Sequence, residues 1–298
     1  MAEKELSIII VSYNTKKITQ DCLESIWRSL QGTKLNYEII LVDNASKDKS
    51  QELLEKLSQQ PQNNLKVIFN KNNVGFGPAN NQAVAQAQGK YLLFLNTDIV
   101  VLGQSINKLL EYYQKNETKI NFLGGKLFNN DLTPQPSAAW FFSLPVTFAV
   151  LFLRGDYYNL TRFSPNTTKK VDWVSGACFL TTKKIYQSVG GFDDQLFMYM
   201  EEVDLLYRAN KKGFSTYFYP LAQFIHLGAA SSSRSNSVVQ VFQGLLYFYK
   251  KNYSKLSLTV LRFLLKLKAL TAILVGKLIK NHYLLETYEK AYQIITMA

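Results

Sequence analysis

The first hundred residues alternate short apolar runs with segments of helical periodicity, and this alternation restricts the fold more than any other feature. Apolar runs of strand length occupy residues 7–12, 37–43, 65–70 and 91–95. Helical patterns lie between them at residues 19–30, 50–57 and 77–88. Apolar runs without alternation are typical of parallel strands that helices cover on both faces. We therefore predict an α/β fold with a mostly parallel sheet and right-handed crossovers.

The pattern loosens beyond residue 100. We predict a helix over residues 103–115, a loop over Asn129–Pro145 and a mixed, aromatic segment over Val146–Lys169. A strand over Val171–Leu180, a helix over Glu202–Lys212 and a strand over Ser215–Tyr219 follow. From Val238 onward the chain is helical and rich in leucine.

Polar side chains follow three of the predicted strands. They form the groups Ser12–Tyr13–Asn14, Asp43–Asn44–Ala45–Ser46 and Asn96–Thr97–Asp98. Any one group would suit a helix cap or a turn. Ligands of open parallel sheets bind beyond the carboxyl ends of the strands, where all three groups meet. Together they indicate a binding site, although no glycine fingerprint of a dinucleotide fold and no phosphate-binding P-loop is present.

Two further features carry candidate chemistry. Asp98 follows the most apolar strand, where an unpaired carboxylate would be costly without a cation partner. A divalent ion that also binds a diphosphate is a suitable partner for this carboxylate. His226 is a candidate second ligand, with a structural role as the alternative. Downstream, Glu201, Glu202 and Asp204 lie beside aromatic residues. Neighbouring carboxyls in apolar surroundings have raised pKa values, which suits a general base. The alternative is an acidic first turn of a helix, which would explain the acidic residues but not their aromatic neighbours.

Basic residues concentrate in the C-terminal segment. Residues 229–298 hold ten Lys/Arg and two Glu in a chain of net charge +12. Four cations interrupt Leu256–Ile279, so no stretch reaches the roughly 18–20 apolar residues of a spanning helix. These helices suit an anionic membrane surface or a partner chain, and a cap on the domain's own core is an equal alternative. No nucleic-acid motif accompanies the charge. With two cysteines and no signal peptide, we expect a cytoplasmic protein.

Several separated motifs resemble family 2 glycosyltransferases of the GT-A fold. They are, in chain order, IIIVSYN, IILVDNASKD, NVGFGPANNQA and LFLNTD. Downstream, VSGACFLTTKKIYQSVGGFDDQLFMYMEEVDLLYR and HLGAASS resemble the rhamnosyltransferase-type branch. The resemblance covers roughly residues 5–233. It implies a catalytic domain over residues 1–233, with a nucleotide-binding half to about residue 100 and an acceptor-binding half after it. Residues 234–298 would form a helical region that contacts a membrane or a partner.

The resemblance also implies roles for single residues. Asp43 is at the position that binds the nucleotide base. Other positions implied to bind the nucleotide sugar are Ser12, Tyr13, Asn14, Asn44, Ser46, Asn72, Gly75, Asn80, Asn96, Thr97 and Asp98. Asn96-Thr97-Asp98 matches the DXD element, so Asp98 and His226 would hold Mg²⁺ or Mn²⁺. Asn96 replaces the first aspartate of that element and removes one anionic ligand.

The resemblance places catalysis at the Glu201-Glu202 pair. Glu202 matches the family's catalytic base, and Glu201 stays the alternative. On the acceptor side it implies Trp173, Gly176, Ala177 and Asp204. Relatives often carry an arginine at the position of Ser137-Ala138-Ala139. This chain has no arginine there, so no residue of this loop is assigned to contact an anion.

The implied reaction is an inverting transfer of L-rhamnose from dTDP-L-rhamnose to a hydroxyl of a lipid-linked or growing surface polysaccharide. UDP-hexose or UDP-galactofuranose is the alternative donor. A sugar nucleotidyltransferase and a non-catalytic, membrane-attached carbohydrate-binding module are competing hypotheses. The implied partners are the donor and a saccharide or polyprenyl-linked acceptor. We also expect peripheral contact with the inner face of the cell membrane and no nucleic acid, and we leave a homodimer open.

Overall fold

The computed structural model describes residues 4–228 and 234–297, apart from the side chains of residues 234–236. Its N-terminal part confirms the predicted alternation of strands and helices. The elements are β1 (Leu6–Ser12), α1 (Lys16–Leu30), β2 (Tyr37–Asp43), α2 (Ser50–Ser58), β3 (Leu65–Phe69), α3 (Phe76–Gln86) and β4 (Tyr91–Asn96). All neighbouring strands in the order β3-β2-β1-β4 pair in parallel.

The following part of the chain extends this sheet with strands of both directions. Its elements are β5 (Ile99–Val101), α4 (Ser105–Lys115), β6 (Phe122–Phe128), β7 (Pro134–Gln135), β8 (Ala138–Ala139), α5 (Leu144–Phe152), β9 (Arg162–Phe163), β10 (Lys169–Val171), β11 (Trp173–Val174), β12 (Cys178–Thr182), α6 (Lys183–Val189), α7 (Glu201–Lys211) and β13 (Thr216–His226). Strand β12 runs antiparallel to both β4 and β6, and β6 is parallel to β13. Within the described residues the sheet order is β10-β13-β6-β12-β4-β1-β2-β3, with β5 and β7 at its side.

Three local predictions are corrected. The single strand expected over Val171–Leu180 is instead β10, β11 and β12, because the chain turns at Asp172 and again at Ser175–Ala177. The loop expected over Asn129–Pro145 contains β7, β8 and the start of α5. The remaining part of the expected mixed segment contains most of α5 and then β9.

A small antiparallel sheet stands beside the large one. Its order is β11-β8-β9, with Trp173 opposite Ala139 and Ala139 opposite Arg162. The pairing brings residues 23 to 36 positions apart into register. It places Arg162 beside the segment that carries Ser175 and Gly176.

The core has one apolar cluster on each face of the large sheet, as alternating strand residues require. Ile9 and Phe94 belong to one cluster, and Ile8 and Leu41 belong to the other. The helices α8 (Arg234–Asn252), α9 (Lys255–Leu278) and α10 (His282–Met297) contribute Phe242, Leu261 and Ile295 to the first cluster. These helices therefore cap the domain's own core.

The C-terminal helices keep exposed apolar surface as well as buried residues. Among the described residues, no helix combines the length and the apolar character needed to cross a membrane. The predicted domain boundary at residue 233 and residues 229–232 of the HLGAASS motif lie outside the described residues.

Candidate active site

A cavity of about 300 Å³ opens at the carboxyl ends of β1, β2 and β4, the edge that the strand pattern predicted. Its walls come from segments on both sides of residue 100. The predicted residues that line it are Tyr13, Asn44, Gly75, Asn96, Thr97, Asp98, Gly176, Ala177, Glu201, Glu202 and His226. Residues separated by more than two hundred positions along the chain thus share one cleft.

The carboxylate of Asp43 is buried at the end of β2. Its Oδ1 accepts hydrogen bonds from the Ser46 backbone N–H and from Gln51 Nε2, each at 3.0 Å. Its Oδ2 is buried and has no hydrogen-bond partner among the described residues. An unsatisfied buried acceptor is costly, so this oxygen needs an N–H donor. Asp43 itself does not line the cavity, but its neighbour Asn44 does.

Asn44 fixes the loop that follows β3. Its Nδ2 donates to Asn73 Oδ1 at 2.7 Å and to the Gly75 carbonyl at 3.2 Å. Gly75 has φ +94°, and an added Cβ there would lie 2.7 Å from the carbonyl oxygen of Phe197. Glycine is therefore required where the nucleotide half meets the segment before α7.

Other predicted donor-side residues, Ser12, Asn14 and Ser46, do not line the cavity. The buried Ser12 hydroxyl bonds to those of Thr15 and Thr19, at 3.3 and 3.0 Å. The backbone N–H of Asn14 donates to Ser46 Oγ at 2.8 Å. These contacts brace the loops after β1 and β2.

Two predicted asparagines also lie away from the cavity. Asn80 is buried in α3 and donates to the Phe76 carbonyl at 2.9 Å. Asn72 is exposed, and its neighbour Asn73 lines the cleft instead.

Asp98 and His226 form a pair on the cavity wall. The distance between Asp98 Oδ1 and His226 Nε2 is 3.3 Å. Strand β13 is antiparallel to β5 with His226 opposite Ile99, which brings the two side chains together. His226 Nδ1 lies 2.6 Å from Gln135 Oε1. An amide oxygen only accepts, so Nδ1 donates in this contact, and Nε2 is the ring nitrogen that faces Asp98.

This pair fits a divalent ion that is shared with a diphosphate. Among the described residues, no group of three or more His, Cys, Asp or Glu side chains forms a complete protein cage. Mg²⁺ is usually held by one or two carboxylates together with substrate phosphates, and Mn²⁺ accepts the same oxygen and imidazole ligands. Asn96 Oδ1, also on this wall, is buried and without a hydrogen-bond partner within the described residues.

Glu201 and Glu202 begin helix α7 and face the same cavity. Glu201 is buried, whereas Glu202 is partly exposed. Gly176 lies beside Glu202, and an added Cβ at Gly176 would be in ordinary contact with Glu202 Cβ at 3.4 Å. The preceding residues, Tyr199 and Met200, both have positive φ. This turn starts the helix at the cavity.

The pKa values of the two glutamates are shifted by different neighbouring groups. Burial, and secondly the charge of Glu202, raise the pKa of Glu201 well above its usual value. Burial also raises the pKa of Glu202, but backbone N–H groups and the charge of Arg162 oppose the rise. Glu201 Oε2 has no hydrogen-bond partner in the described chain. Glu201 therefore keeps its proton to higher pH, and Glu202 is the better base of the pair.

Arg162 is a functional candidate that the sequence patterns missed. It is the one Lys or Arg among the described residues that line the cleft. Its guanidinium carbon lies 5.4 Å from the centre of the Trp173 ring, and its Nε is buried without a partner in the described part of the chain. Because Arg162 is opposite Ala139 in the small sheet, a cation stands beside the Ser137–Ala139 segment that lacks an arginine.

The predicted acceptor-side residues divide into two groups. Gly176 and Ala177 line the cavity. Trp173 is buried beneath Arg162 and donates from Nε1 to the Trp140 carbonyl at 2.9 Å. Asp204 is fully buried, and its carboxylate forms ion pairs with Arg208 at 2.7 Å and Lys251 at 2.9 Å. Trp173 and Asp204 thus support the site from behind.

Comparison with known proteins gives a consistent result. The family model described as glycosyl transferase family 2 matches residues 7–203. The N-acetylglucosaminyl-diphospho-decaprenol L-rhamnosyltransferase of Mycobacterium tuberculosis is 27% identical over 248 residues, which are 77% of this chain and 78% of that protein. Rhamnosyltransferase WbbL of Escherichia coli is 28% identical over 229 residues, 74% of this chain and 82% of that protein.

Solved structures share the fold. The mannosyltransferase PcManGT from Pyrobaculum calidifontis, in complex with GDP-Man and Mn²⁺, superposes with a TM-score of 0.59 at 13% identity, over 100% of this chain and 76% of that one. GalNAc-T7 with UDP, GalNAc and Mn²⁺ gives a TM-score of 0.58 at 18% identity. That match spans 83% of this chain and 50% of the GalNAc-T7 chain.

Proposed function

The chain belongs to glycosyl transferase family 2, and we propose that it transfers L-rhamnose from dTDP-L-rhamnose to a hydroxyl of a lipid-linked or growing surface polysaccharide. One observation carries the proposal. A carboxylate–imidazole pair and two crowded glutamates line one cavity, and a buried carboxylate with a free acceptor oxygen, Asp43, stands directly before the lining residue Asn44. A non-catalytic carbohydrate-binding module would have no use for this set of groups.

The donor assignment rests on the relatives and on the pocket together. Two relatives are named as rhamnosyltransferases, which favours dTDP-L-rhamnose over UDP-hexose or UDP-galactofuranose. Asp43 Oδ2 suits the N3–H of a thymine or uracil base, since both present that donor. The decaprenol-linked substrate in the name of the mycobacterial relative supports a lipid-linked acceptor.

The proposed mechanism is a single displacement. Glu202 takes the proton from the acceptor hydroxyl while the hydroxyl oxygen attacks the anomeric carbon of the donor sugar. The bond between that carbon and the donor diphosphate breaks at the same time, with inversion at the carbon. Asp98 and His226 would hold Mg²⁺ or Mn²⁺, which neutralises the charge that grows on the departing diphosphate. The raised pKa of Glu201 favours its protonated form, which limits the negative charge beside the reacting hydroxyl. The charge of Arg162 favours the carboxylate form of Glu202 and opposes the rise in its pKa.

A thermal-shift screen tests the donor class. We expect dTDP or UDP to raise the melting temperature of the full chain in the presence of Mg²⁺ or Mn²⁺, because a ligand that binds only the folded state stabilises it. The increase in melting temperature should be smaller when EDTA replaces the metal ion. It should also be smaller in Asp43→Asn, because this variant replaces the carboxylate that accepts the N–H of the base with an amide. No shift with any nucleoside diphosphate would contradict the proposal.

Arg162→Gln should change the pH profile of the reaction. Glu202 must be unprotonated to act, so kcat/KM falls as the pH drops through its raised pKa. Removal of the Arg162 charge raises that pKa further, and the acid limb should move to higher pH. The other ionisable groups on the cavity wall, Glu201, Asp98 and His226, are retained. A kcat/KM profile of Arg162→Lys, which keeps the charge, should stay close to the wild-type profile, and an unmoved limb in Arg162→Gln would refute the role.

We also propose that the outer face of α9 contacts an anionic membrane. Phe263, Leu267, Leu270 and Leu274 are 64%, 39%, 50% and 59% exposed and recur at helical spacing along one side. Lys266 and Lys277 lie beside this stripe on the same helix. Apolar side chains bordered by lysines suit the boundary between acyl chains and anionic headgroups.

Vesicle sedimentation tests this contact. Vesicles with phosphatidylglycerol should bind the wild-type chain more strongly than pure phosphatidylcholine vesicles do. Phe263→Glu with Leu270→Glu should weaken binding at least about tenfold, because each buried apolar side chain contributes roughly 1.5–3 kcal/mol. Leu221→Glu, at a 60% exposed leucine of β13, is the matched control. Equal vesicle binding by the α9 double variant and Leu221→Glu would exclude the α9 face as the membrane contact. Loss of a dimer in the α9 double variant would instead assign this face to contact with a second copy of the chain.

A further inference from the structure

A second and larger cavity, of about 730 Å³, lies between the segment before α7 and the three C-terminal helices. Small-molecule sites have volumes of about 300–1,000 Å³. This cavity shares Phe197 and Met198 with the catalytic cleft. The two spaces therefore meet at one wall.

The lining of this cavity combines apolar, amide and cationic side chains. Leu196, Leu246, Leu258 and Ile294 supply apolar surface, and Lys250 and Arg262 supply positive charge. Gln195, Gln240 and Gln243 add amide groups. Among the described lining residues there is no carboxylate, so a basic peptide would be repelled. The lining fits a molecule that joins an apolar chain to an anionic group.

The wall of this cavity is tied to the start of the catalytic helix. Tyr247, a lining residue on α8, donates from its hydroxyl to Asp193 Oδ2 at 2.8 Å, and Lys251 Nζ lies 2.5 Å from the same oxygen. An added Cβ at Gly244 would lie 2.8 Å from Met200 Cγ, so α8 packs closely against the residue before Glu201. Helix α8 thus contacts both the cavity and the catalytic segment.

We propose that this cavity binds the first isoprene units and the phosphate groups of a polyprenyl diphosphate-linked acceptor. The inference rests on the proposed function for the identity of the acceptor. The isoprene units contact the leucines and Ile294, and the phosphates pair with Lys250 and Arg262. The saccharide then passes the Phe197 wall toward Glu202. This arrangement selects acceptors by their lipid carrier as well as by their terminal sugar.

Direct binding of short probes to the full-length chain tests the site. We expect farnesyl diphosphate to bind at least about tenfold more tightly than inorganic diphosphate or farnesol, because only the first probe satisfies both parts of the lining. Leu258→Trp fills the cavity and should weaken farnesyl diphosphate at least tenfold. Thr259→Trp changes the adjacent, exposed residue of α9 and should stay within about twofold of wild type. Equal affinity for all three probes, or equal loss in both variants, would overturn the proposal.

Charge and position are tested separately. Lys250→Gln with Arg262→Gln should remove the preference for farnesyl diphosphate over farnesol, whereas Lys56→Gln on the exposed side of α2 should retain it. A benzophenone-bearing isoprenyl diphosphate should label wild-type peptides within residues 240–262 or 294–297. This measurement does not depend on the folding of any variant. Labelling confined to the outer face of α9, at Phe263 or Leu270, would assign the probe to the membrane-contact surface and refute the cavity.

The two proposals fail in different ways. A chain that binds farnesyl diphosphate in the cavity but binds no nucleoside diphosphate would retain this site and lose the proposed function. A chain that binds dTDP or UDP with a divalent ion but binds the three probes equally would retain the transferase chemistry and lose this site.

Discussion

Glu202→Gln should lower kcat by about 10²–10⁴-fold, the usual contribution of a positioned general base. Glutamine has the same shape and cannot take a proton. The dissociation constant of the nucleotide donor should change little, because Asp43 and Asp98 are intact. Nucleoside diphosphate release measures kcat, and titration calorimetry measures donor binding.

The neighbouring carboxyl provides the matched control for this variant. Glu201→Gln should lower kcat much less, because the raised pKa of Glu201 already keeps this buried carboxyl protonated. If instead Glu201→Gln abolished turnover and Glu202→Gln retained it, the two roles would be exchanged.

Asp98→Asn should have the second large effect, and unlike Glu202→Gln it should weaken donor binding as well as turnover. Loss of the charged metal ligand removes several kcal/mol of stabilisation from the departing diphosphate. At 1.36 kcal/mol for each factor of ten, kcat/KM should fall by about 10²–10³-fold. Donor affinity measured with Mn²⁺ should approach the affinity measured with EDTA.

A surface carboxylate controls for the change in charge. Asp21→Asn on α1 removes a carboxylate that forms an ion pair with the exposed Lys17 and should leave activity and metal dependence unchanged. Wild-type turnover by Asp98→Asn, or full wild-type activity in EDTA, would refute the metal role of Asp98.

The donor side of the cleft was predictable because it follows from local pattern and topology. Apolar runs predicted β1, β2 and β4, and parallel pairing then required Asn44 and Asp98 to meet at one edge. Sequence position alone did not reveal which side chains point into the cavity. Ser12 turns toward Thr19 and Asn80 toward Phe76, since each finds a hydrogen-bond partner within its own neighbourhood.

The acceptor side was harder to predict because long-range packing creates it. Strand β6 contains Gly124 and Gly125, which weaken a strand pattern. Both are needed, since an added Cβ would lie 2.6 Å from Val174 Cβ or 2.5 Å from Phe224 Cε2. Arg162 stands in a two-residue strand without periodicity and reaches the cleft only through the small sheet.

The second cavity has no sequence signal, because four separate segments form it. Leu196, Tyr247, Leu258 and Ile294 belong to a loop and three different helices. Leucine spacing in α9 predicts a helix, but it does not distinguish Leu258, which lines the cavity, from Phe263, which faces outward.

The most direct test of the central proposal is nucleoside diphosphate release from a donor panel in the presence of lipid-linked saccharide acceptors. The panel contains dTDP-L-rhamnose, UDP-glucose and UDP-galactofuranose, and wild type and Glu202→Gln are assayed together with Mn²⁺. We predict release from dTDP-L-rhamnose by the wild-type chain, a product heavier by one deoxyhexose, and loss of both in the variant. Equal release by the wild-type chain and Glu202→Gln would contradict a base-assisted sugar transfer in this cleft. A failure of both proteins to release nucleoside diphosphate from any donor would contradict it as well.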